Sequence, residues 1–183
     1  MAITVVATPA TLSWSNFRSV PTKIMDPNDR TLIDALTRFN FDMPDLPPRT
    51  IGGQLGLADP LVITITPNSQ VWTGVAQTAA LLSHEQLHYD VGIVTGRYDV
   101  GIVTGRALAR QLMLLRAPNQ ASLVSAVRAA ARLHFMTRAG LLQSRYDLDT
   151  RHGTNAHYQK IWKDRMTACL ANPLADQLGG FFL

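Results

Sequence analysis

The first part of the chain carries the hydrophobic pattern of short β-strands. Residues 3–7, Ile-Thr-Val-Val-Ala, are mostly β-branched and predict an opening strand, which residues 12–17 follow with two aromatic side chains as an anchor. Prolines and glycines punctuate residues 26–60, so no long element is predicted there, although Thr31–Phe39 could form a short helix or strand. Apolar and threonine side chains alternate at 61–66, which predicts a half-buried strand whose exposed edge can accept an extended peptide.

Further along, the apolar positions recur at helical spacing. Positions 75, 79, 82 and 86 are three and four residues apart, which predicts a first helix with Thr73 as its N-cap. Apolar stripes over 120–143 and 154–170 predict a second and a third helix. We therefore expect one α+β domain over residues 1–183, in which a small N-terminal sheet packs on three main helices.

The predicted first helix contains an HExxH pentapeptide, His84-Glu85-Gln86-Leu87-His88. Residues four apart lie on one face of a helix, so His84 and His88 can bind one zinc ion. Glu85 stands one position further round, where it can act as general base on a zinc-activated water. The pentapeptide predicts a Zn2+-dependent metallopeptidase that cleaves peptide or protein substrates. Two alternatives are a catalytically inactive zinc-binding or partner-binding module, and a structural protein whose motif is accidental.

A catalytic zinc site needs a third protein ligand. The metzincin pattern is excluded, because Val91 and Val94 stand where it requires a glycine and a ligand. Histidine, aspartate and tyrosine are concentrated at 146–157, which we interpret as a loop between the second and third helices. Within it we choose His152 as the third ligand and Tyr146 as a hydrogen-bond donor to the tetrahedral oxyanion.

Several sequence patches resemble a bacterial domain-of-unknown-function family described as predicted secreted zinc-dependent proteases. The patches are Ser13–Phe17, Leu82–Asp90, Tyr146–Asp147, Thr150–Gly153, Gln159 and Trp162, in an order that covers most of the chain. The resemblance implies a zincin-like fold, His152 as a residue of the metal site, and a secreted or periplasmic location. The N-terminus does not have the pattern of a signal peptide, so a cytoplasmic location stays open.

Other polar side chains near the motif have simpler interpretations. His157, early in the third helix, can serve as a proton donor or as an exposed side chain. His134 lies on the apolar stripe of the second helix and is expected to be a core histidine. Asp90 can orient a metal-binding histidine or simply face solvent.

The residues after the motif form an exact tandem repeat. Residues 89–97, Tyr-Asp-Val-Gly-Ile-Val-Thr-Gly-Arg, recur unchanged at 98–106. Nine helical residues add about two and a half turns. A straight helix through both copies would therefore turn the later leucines (108, 112 and 115) away from the face that carries the histidines. It would bring Asp99 and Arg106 to the inward side instead, where unpaired charges are costly to bury. We expect one copy to bulge out as a loop, or the segment to exchange between two chains as a domain-swapped dimer.

The overall charge does not point to a nucleic-acid partner. Lys and Arg number 17 against 13 Asp and Glu, a net charge of +4, and the basic residues are scattered instead of clustered. No run reaches the roughly 18 apolar residues of a membrane span. The expected partner is therefore a peptide or protein substrate, with no nucleic acid and no membrane.

Overall fold

A computed structural model describes residues 3–42, 48–57, 61–101, 111–171, 177–178 and 181–182. These residues contain three long helices: α1 (Ala79–Gly101), α2 (Gln120–Thr150) and α3 (Ala156–Ala171). Residues 111–114 are also helical. The strands are β1 Ile3–Ala7, β2 Phe17–Val20, β3 Ile24–Met25, β4 Leu32–Ile33, β5 Ala35–Leu36, β6 Phe39–Asp42, β7 Pro48–Ile51, β8 Gln54–Leu57, β9 Leu61–Pro67, β10 Ser69–Trp72, β11 Gln177–Leu178 and β12 Phe181–Phe182. The α+β class is confirmed.

The strands form several small sheets where one N-terminal sheet was expected. One three-stranded sheet has the order β1-β9-β6, and a second has the order β2-β10-β5. The remaining strands pair as β3-β4, β7-β8 and β11-β12. Prolines and glycines account for only part of this division: Gly52 and Gly53 form the turn between β7 and β8, whereas β4 and β5 end at residues that are neither proline nor glycine.

The strand predicted at 61–66 is present as β9, but its expected free edge is not. It pairs in parallel with β1 along one side and antiparallel with β6 along the other. Its buried side chains, Ile63 and Ile65, are both 0% exposed. Thr64 and Ile65 are paired on both sides, so an extended peptide cannot add as a further strand along this part of β9.

The first helix is surrounded by the rest of the fold. α1 contacts α2, α3, β1, β5 and β9. After the motif, Tyr89 and residues 91–95 are all buried, so this part of α1 has no exposed face. A helix that is apolar on every side belongs in a core. The helix begins later than predicted: Thr78, not Thr73, accepts a hydrogen bond at its start, from the backbone N–H of Leu81.

The helix continues through the junction between the two copies of the repeat. α1 includes the first copy and extends into the second as far as Gly101. The expected loop or domain swap falls partly on residues 102–110, which lie outside the described residues, so it stays a prediction. Leu112, beyond the repeat, is fully buried in a cluster with Leu57, Ile63 and Leu123, apart from the cluster that contains Tyr89 and Tyr146.

Two apolar clusters form the core. The larger one joins α1, α3, the C-terminal half of α2 and the strands β2, β5, β6, β9 and β10. The smaller one lies under the N-terminal half of α2 and against β8 and β9. In the described part of the chain no helix combines the length and apolar character that crossing a bilayer requires.

Replacing glycine by alanine is expected to have opposite effects on stability at two positions in the helices. An added Cβ at Gly92 would lie 2.7 Å from the ring of Phe39, whereas at Gly140 it would meet nothing within 4 Å. Gly92→Ala is therefore expected to cost about 1–3 kcal/mol by overpacking. Gly140→Ala should stabilise the protein by about 0.5–1 kcal/mol through helix propensity. Thermal unfolding of both variants checks this, and a stabilised Gly92→Ala variant would contradict the packing.

Candidate metal centre

The helical spacing of the HExxH pentapeptide brings its two histidines together in the core. His84 and His88 are 4% and 7% exposed, and their Nε2 atoms are 3.2 Å apart. The next residue, Tyr89, donates a hydrogen bond of 2.9 Å from its hydroxyl to the carbonyl of Ile65 on β9. This bond ties the motif helix to the sheet.

A third ligand atom comes from α2. Asp147 Oδ1 lies 2.9 Å from His88 Nε2 and 3.4 Å from His84 Nε2. Tetrahedral zinc with bonds of about 2.0–2.1 Å separates its ligand atoms by about 3.3–3.4 Å. The observed triangle, with sides of 2.9, 3.2 and 3.4 Å, is close to that spacing. The buried group His84, His88 and Asp147 can therefore hold a metal ion.

The imidazole of His84 is oriented by Gln159, which α3 contributes. His84 Nδ1 lies 3.3 Å from Gln159 Oε1, and Tyr146 donates a 2.9 Å hydrogen bond to the same oxygen. An amide oxygen can only accept, so Nδ1 carries the proton and Nε2 keeps its lone pair for a metal. The Tyr146 ring also stacks on His84, with the ring centroids 4.8 Å apart. Metal-binding histidines are commonly oriented by a hydrogen bond from the ring nitrogen that does not bind the metal.

The segment after α2 approaches His84 closely. α2 ends with Arg151 in the left-handed conformation, and His152 and Gly153 also have positive φ angles of 50° and 82°. A Cβ at position 153 would lie 2.9 Å from Cγ of His84. Glycine is therefore required at position 153 for two reasons: the backbone has a positive φ angle, and the imidazole of His84 occupies the space that a Cβ would need.

Charge and burial act in opposite directions on the ligands. Burial alone would lower the pKa of His88, but the carboxylate of Asp147, assisted by Glu85 and Asp26, outweighs it and raises the pKa. Burial would raise the pKa of Asp147, yet His88 and His84 hold it well below its usual range. Burial raises the pKa of Tyr146 far above normal, so its hydroxyl remains a donor. Asp147 is thus an ionised carboxylate in a nearly dry site.

Glu85 is buried beside the three ligands. It is the only glutamate in the chain and is 2% exposed. Its Oε2 atom, like His88 Nδ1, has no hydrogen-bond partner among the described residues. Unsatisfied buried polar atoms are rare in proteins and are typical of positions that a ligand or ion completes.

The site opens into a large cleft. The cavity measures about 890 Å³ and is bordered by His84, Glu85, His88 and Asp147. One wall is the segment that contains β4, β5 and β6, and the opposite wall is α2 with Arg128, Arg132 and Gln143. A substrate in this cleft would have direct access to the candidate metal ligands.

The other predicted site residues lie around this centre. His152 does not join both motif histidines in one ligand group; its Nδ1 lies 3.6 Å from Asp147 Oδ1 and its Nε2 3.1 Å from Asp29 Oδ2. Tyr146 is fully buried, and its hydroxyl is directed to Gln159 and the His84 carbonyl. His157 is exposed, and Asp90 accepts a hydrogen bond from Gln86. The side chain of His134 lies outside the described residues.

The sequence analysis missed Asp147 because it ended the second helix at residue 143. The helix continues to Thr150, so residues 146–150 are not the expected loop. Gln143, Tyr146, Asp147 and Thr150 are spaced three and four apart and therefore share one helix face. This polar stripe at helical spacing was the available signal. The roles of Gln159, Asp26 and Asp29 had no local sequence signal.

We expect Gln159→Leu to weaken metal binding by about 10–100-fold, because His84 loses the acceptor that orients it. Competition with a chromogenic chelator measures the affinity. Gln159→Glu keeps the acceptor oxygen and should retain most of the binding. Equal affinity of Gln159→Leu and the unmodified protein would show that the side chain does not position His84.

Comparison of the chain with known proteins found no matching family model, no matching curated protein and no matching solved structure.

Proposed function

We propose that the protein is a zinc-dependent metallopeptidase with a zincin-like arrangement of its helices around the metal. The observation that carries the proposal is the buried group His84, His88 and Asp147 next to Glu85, whose Oε2 has no partner among the described residues. The resemblance to predicted secreted zinc proteases supports the same activity and a secreted or periplasmic location.

The donor set favours zinc over other common metals. Two imidazoles and one carboxylate are a ligand combination found in catalytic zinc sites, which leave a fourth position open for water or substrate. Magnesium and calcium prefer sites made of oxygen ligands alone. All three ligand residues border the cleft, so a substrate bound there would lie beside them.

Glu85 supplies the proton chemistry in this proposal. His84, His88 and Asp147 would hold a zinc ion, which would lower the pKa of a bound water and polarise the substrate carbonyl. The Glu85 carboxylate accepts the proton of the attacking water and delivers it to the nitrogen of the leaving amine. The peptide bond is thereby cleaved to a carboxylate and an amine. Tyr146 acts indirectly, since its hydroxyl holds Gln159 and the backbone of His84.

The walls of the cleft suit an extended polypeptide. β5 and β6, which border the cleft, each lie at the end of a three-stranded sheet. The unpaired side of an edge strand can add the backbone of a peptide as a further strand. These strands therefore take the substrate-binding role that the sequence analysis assigned to residues 61–66.

Metal removal tests the proposal. The full chain is purified, its zinc content is measured by elemental analysis, and cleavage of a mixed peptide library is followed by mass spectrometry. We expect cleavage that is lost after chelation and restored by Zn2+. Stoichiometric zinc without cleavage would support the inactive binding module instead, and a metal-free protein that binds no added zinc would support an accidental motif.

A further inference from the structure

The Asp147 carboxylate lies between two groups of ligand atoms. On one side are His84 and His88, described above. On the other side are Asp26 and His152, whose Oδ2 and Nδ1 atoms are 3.9 Å apart, with Asp147 Oδ1 3.6 Å from that Nδ1. The ligand atoms of Asp26, Asp147 and His152 all lie within 4.8 Å of one another.

We propose that these three residues hold a second divalent metal ion, and that Asp147 bridges the two ions. Both groups approach the same oxygen, Asp147 Oδ1, and a carboxylate oxygen has two lone pairs, so it can bind two cations at once. Two carboxylates and an imidazole are suitable ligands for zinc or manganese. This site is additional to the zinc centre of the proposed peptidase and does not depend on that activity.

The tautomer of His152 favours metal binding through Nδ1. Its Nε2 lies 3.1 Å from Asp29 Oδ2, and a carboxylate oxygen accepts, so the proton resides on Nε2. Asp29 is itself held by hydrogen bonds from Thr31, which are the largest cause of its lowered pKa. The lone pair of Nδ1 then points toward Asp26 and Asp147. A carboxylate behind a histidine is the usual outer support of a metal ligand.

The backbone also holds Asp26 and His152 in place. Asp26 is 2% exposed, and its Oδ1 accepts a 2.7 Å hydrogen bond from the N–H of Asn28, which leaves Oδ2 toward His152. The N–H of His152 donates to the Asp147 carbonyl at 3.1 Å. Both side chains therefore start from fixed positions and need little reorganisation to bind an ion.

The charge of the cluster exceeds what one divalent ion balances. Asp26, Glu85 and Asp147 are 2%, 2% and 7% exposed. Asp26 and Asp147 form ion pairs with histidines. Buried carboxylates without a compensating cation are costly. One divalent ion would leave one of these three negative charges unbalanced, which favours a second cation.

The Asp147 Oδ1 atom provides a separate indication. It is buried, and it lies within 3.6 Å of ring nitrogens of three histidines: 2.9 Å from His88 Nε2, 3.4 Å from His84 Nε2 and 3.6 Å from His152 Nδ1. Pairs of metal ions about 3.5–4 Å apart occur in aminopeptidases, phosphatases and nucleases, where they clamp a substrate between them. A second ion beside Asp147 would face the same cleft.

Metal stoichiometry tests the proposal. The full chain is stripped with a chelator, then dialysed against Zn2+ or Mn2+ and analysed for bound metal. We expect two ions per chain, falling to one in Asp26→Asn, in His152→Asn and in the double variant. Asparagine is chosen at position 152 because it tolerates the positive φ of 50° found there. Asp164→Asn, an exposed aspartate outside the cleft, is the matched control and should keep two.

The distance between the two proposed ions is tested on the same samples. Two Mn2+ ions that share a carboxylate couple magnetically, so the electron paramagnetic resonance spectrum of the fully loaded protein should differ from that of half-loaded protein and of Asp26→Asn. A single ion per chain would overturn the proposal. Two ions that are uncoupled, or that persist in both single variants, would place the second ion elsewhere and overturn it too. Peptidase activity enters neither readout, so failure of one proposal is distinguishable from failure of the other.

Discussion

Glu85→Gln is expected to reduce peptide cleavage by about 10²–10⁴-fold in kcat while leaving zinc content unchanged. The amide has nearly the shape of the carboxylate, but it cannot accept the proton of the attacking water. Since Glu85 is not among the three ligand residues, the metal should remain. Initial rates on a cleaved peptide and elemental analysis of the same preparation give both quantities.

The control for Glu85→Gln is Asp164→Asn, which removes a carboxylate that pairs with Lys160 on the surface of α3. It should leave both rate and zinc content unaltered. If Glu85→Gln cleaved at the normal rate, the proton transfer would have to be assigned to another group. If it lost its zinc, Glu85 would belong to the ligand set.

The second large effect concerns the ligands themselves. His84→Ala and His88→Ala are each expected to remove one zinc ion per chain and to reduce cleavage to background, because two remaining ligands cannot hold a catalytic zinc firmly. Asp147→Asn should also lose this ion, since a neutral amide is a much weaker ligand than an ionised carboxylate. Bound metal is measured after dialysis against a weak chelator.

His157→Ala provides the matched histidine control. His157 is exposed on α3 and contacts the ring of Tyr158. We expect this variant to keep its zinc and its activity. Asp147→Asn with a full zinc complement would instead favour His152 as the third ligand of the motif histidines, which was the assignment made from the sequence.

These experiments also separate loss of metal from loss of fold. His84, His88 and Asp147 are buried, so truncating one of them leaves the others without their partners, at a cost of several kcal/mol when a charge is involved. Circular dichroism at a temperature well below the unfolding transition identifies variants that remain folded. Glu85→Gln is the gentlest change because it preserves side-chain volume.

Much of the secondary structure follows from local patterns in the chain. The strand at 61–66, the α+β class and the three long helices were predicted because apolar spacing of two or of three to four residues depends only on neighbours in sequence. Element ends were less accurate. The second helix was ended at 143, but its left-handed cap falls on Arg151 and His152, and the glycine that signals a stop comes only at 153.

The repeat at 89–106 shows a second limit on what can be predicted from the sequence. The rotation that it imposes on a straight helix can be calculated from sequence, and the described part of α1 runs through the junction to Gly101. Whether the chain then loops out or exchanges with a second copy depends on packing beyond that residue. The burial of Leu112 in the smaller core cluster shows that the later leucines need not continue the histidine face.

The sequence by itself determined the pair His84 and His88 and the neighbouring Glu85, because a spacing of four residues on one helix places two side chains on one face whatever the rest of the fold does. Only the tertiary structure decided that Asp147 comes to this pair, that Gln159 orients His84, and that Asp26 and His152 lie on the far side of the same carboxylate. These contacts join α1, α2, α3 and the β3-β4 hairpin. Their distances are set by how the elements pack across the core, and packing depends on all the buried side chains together, so no local spacing records it.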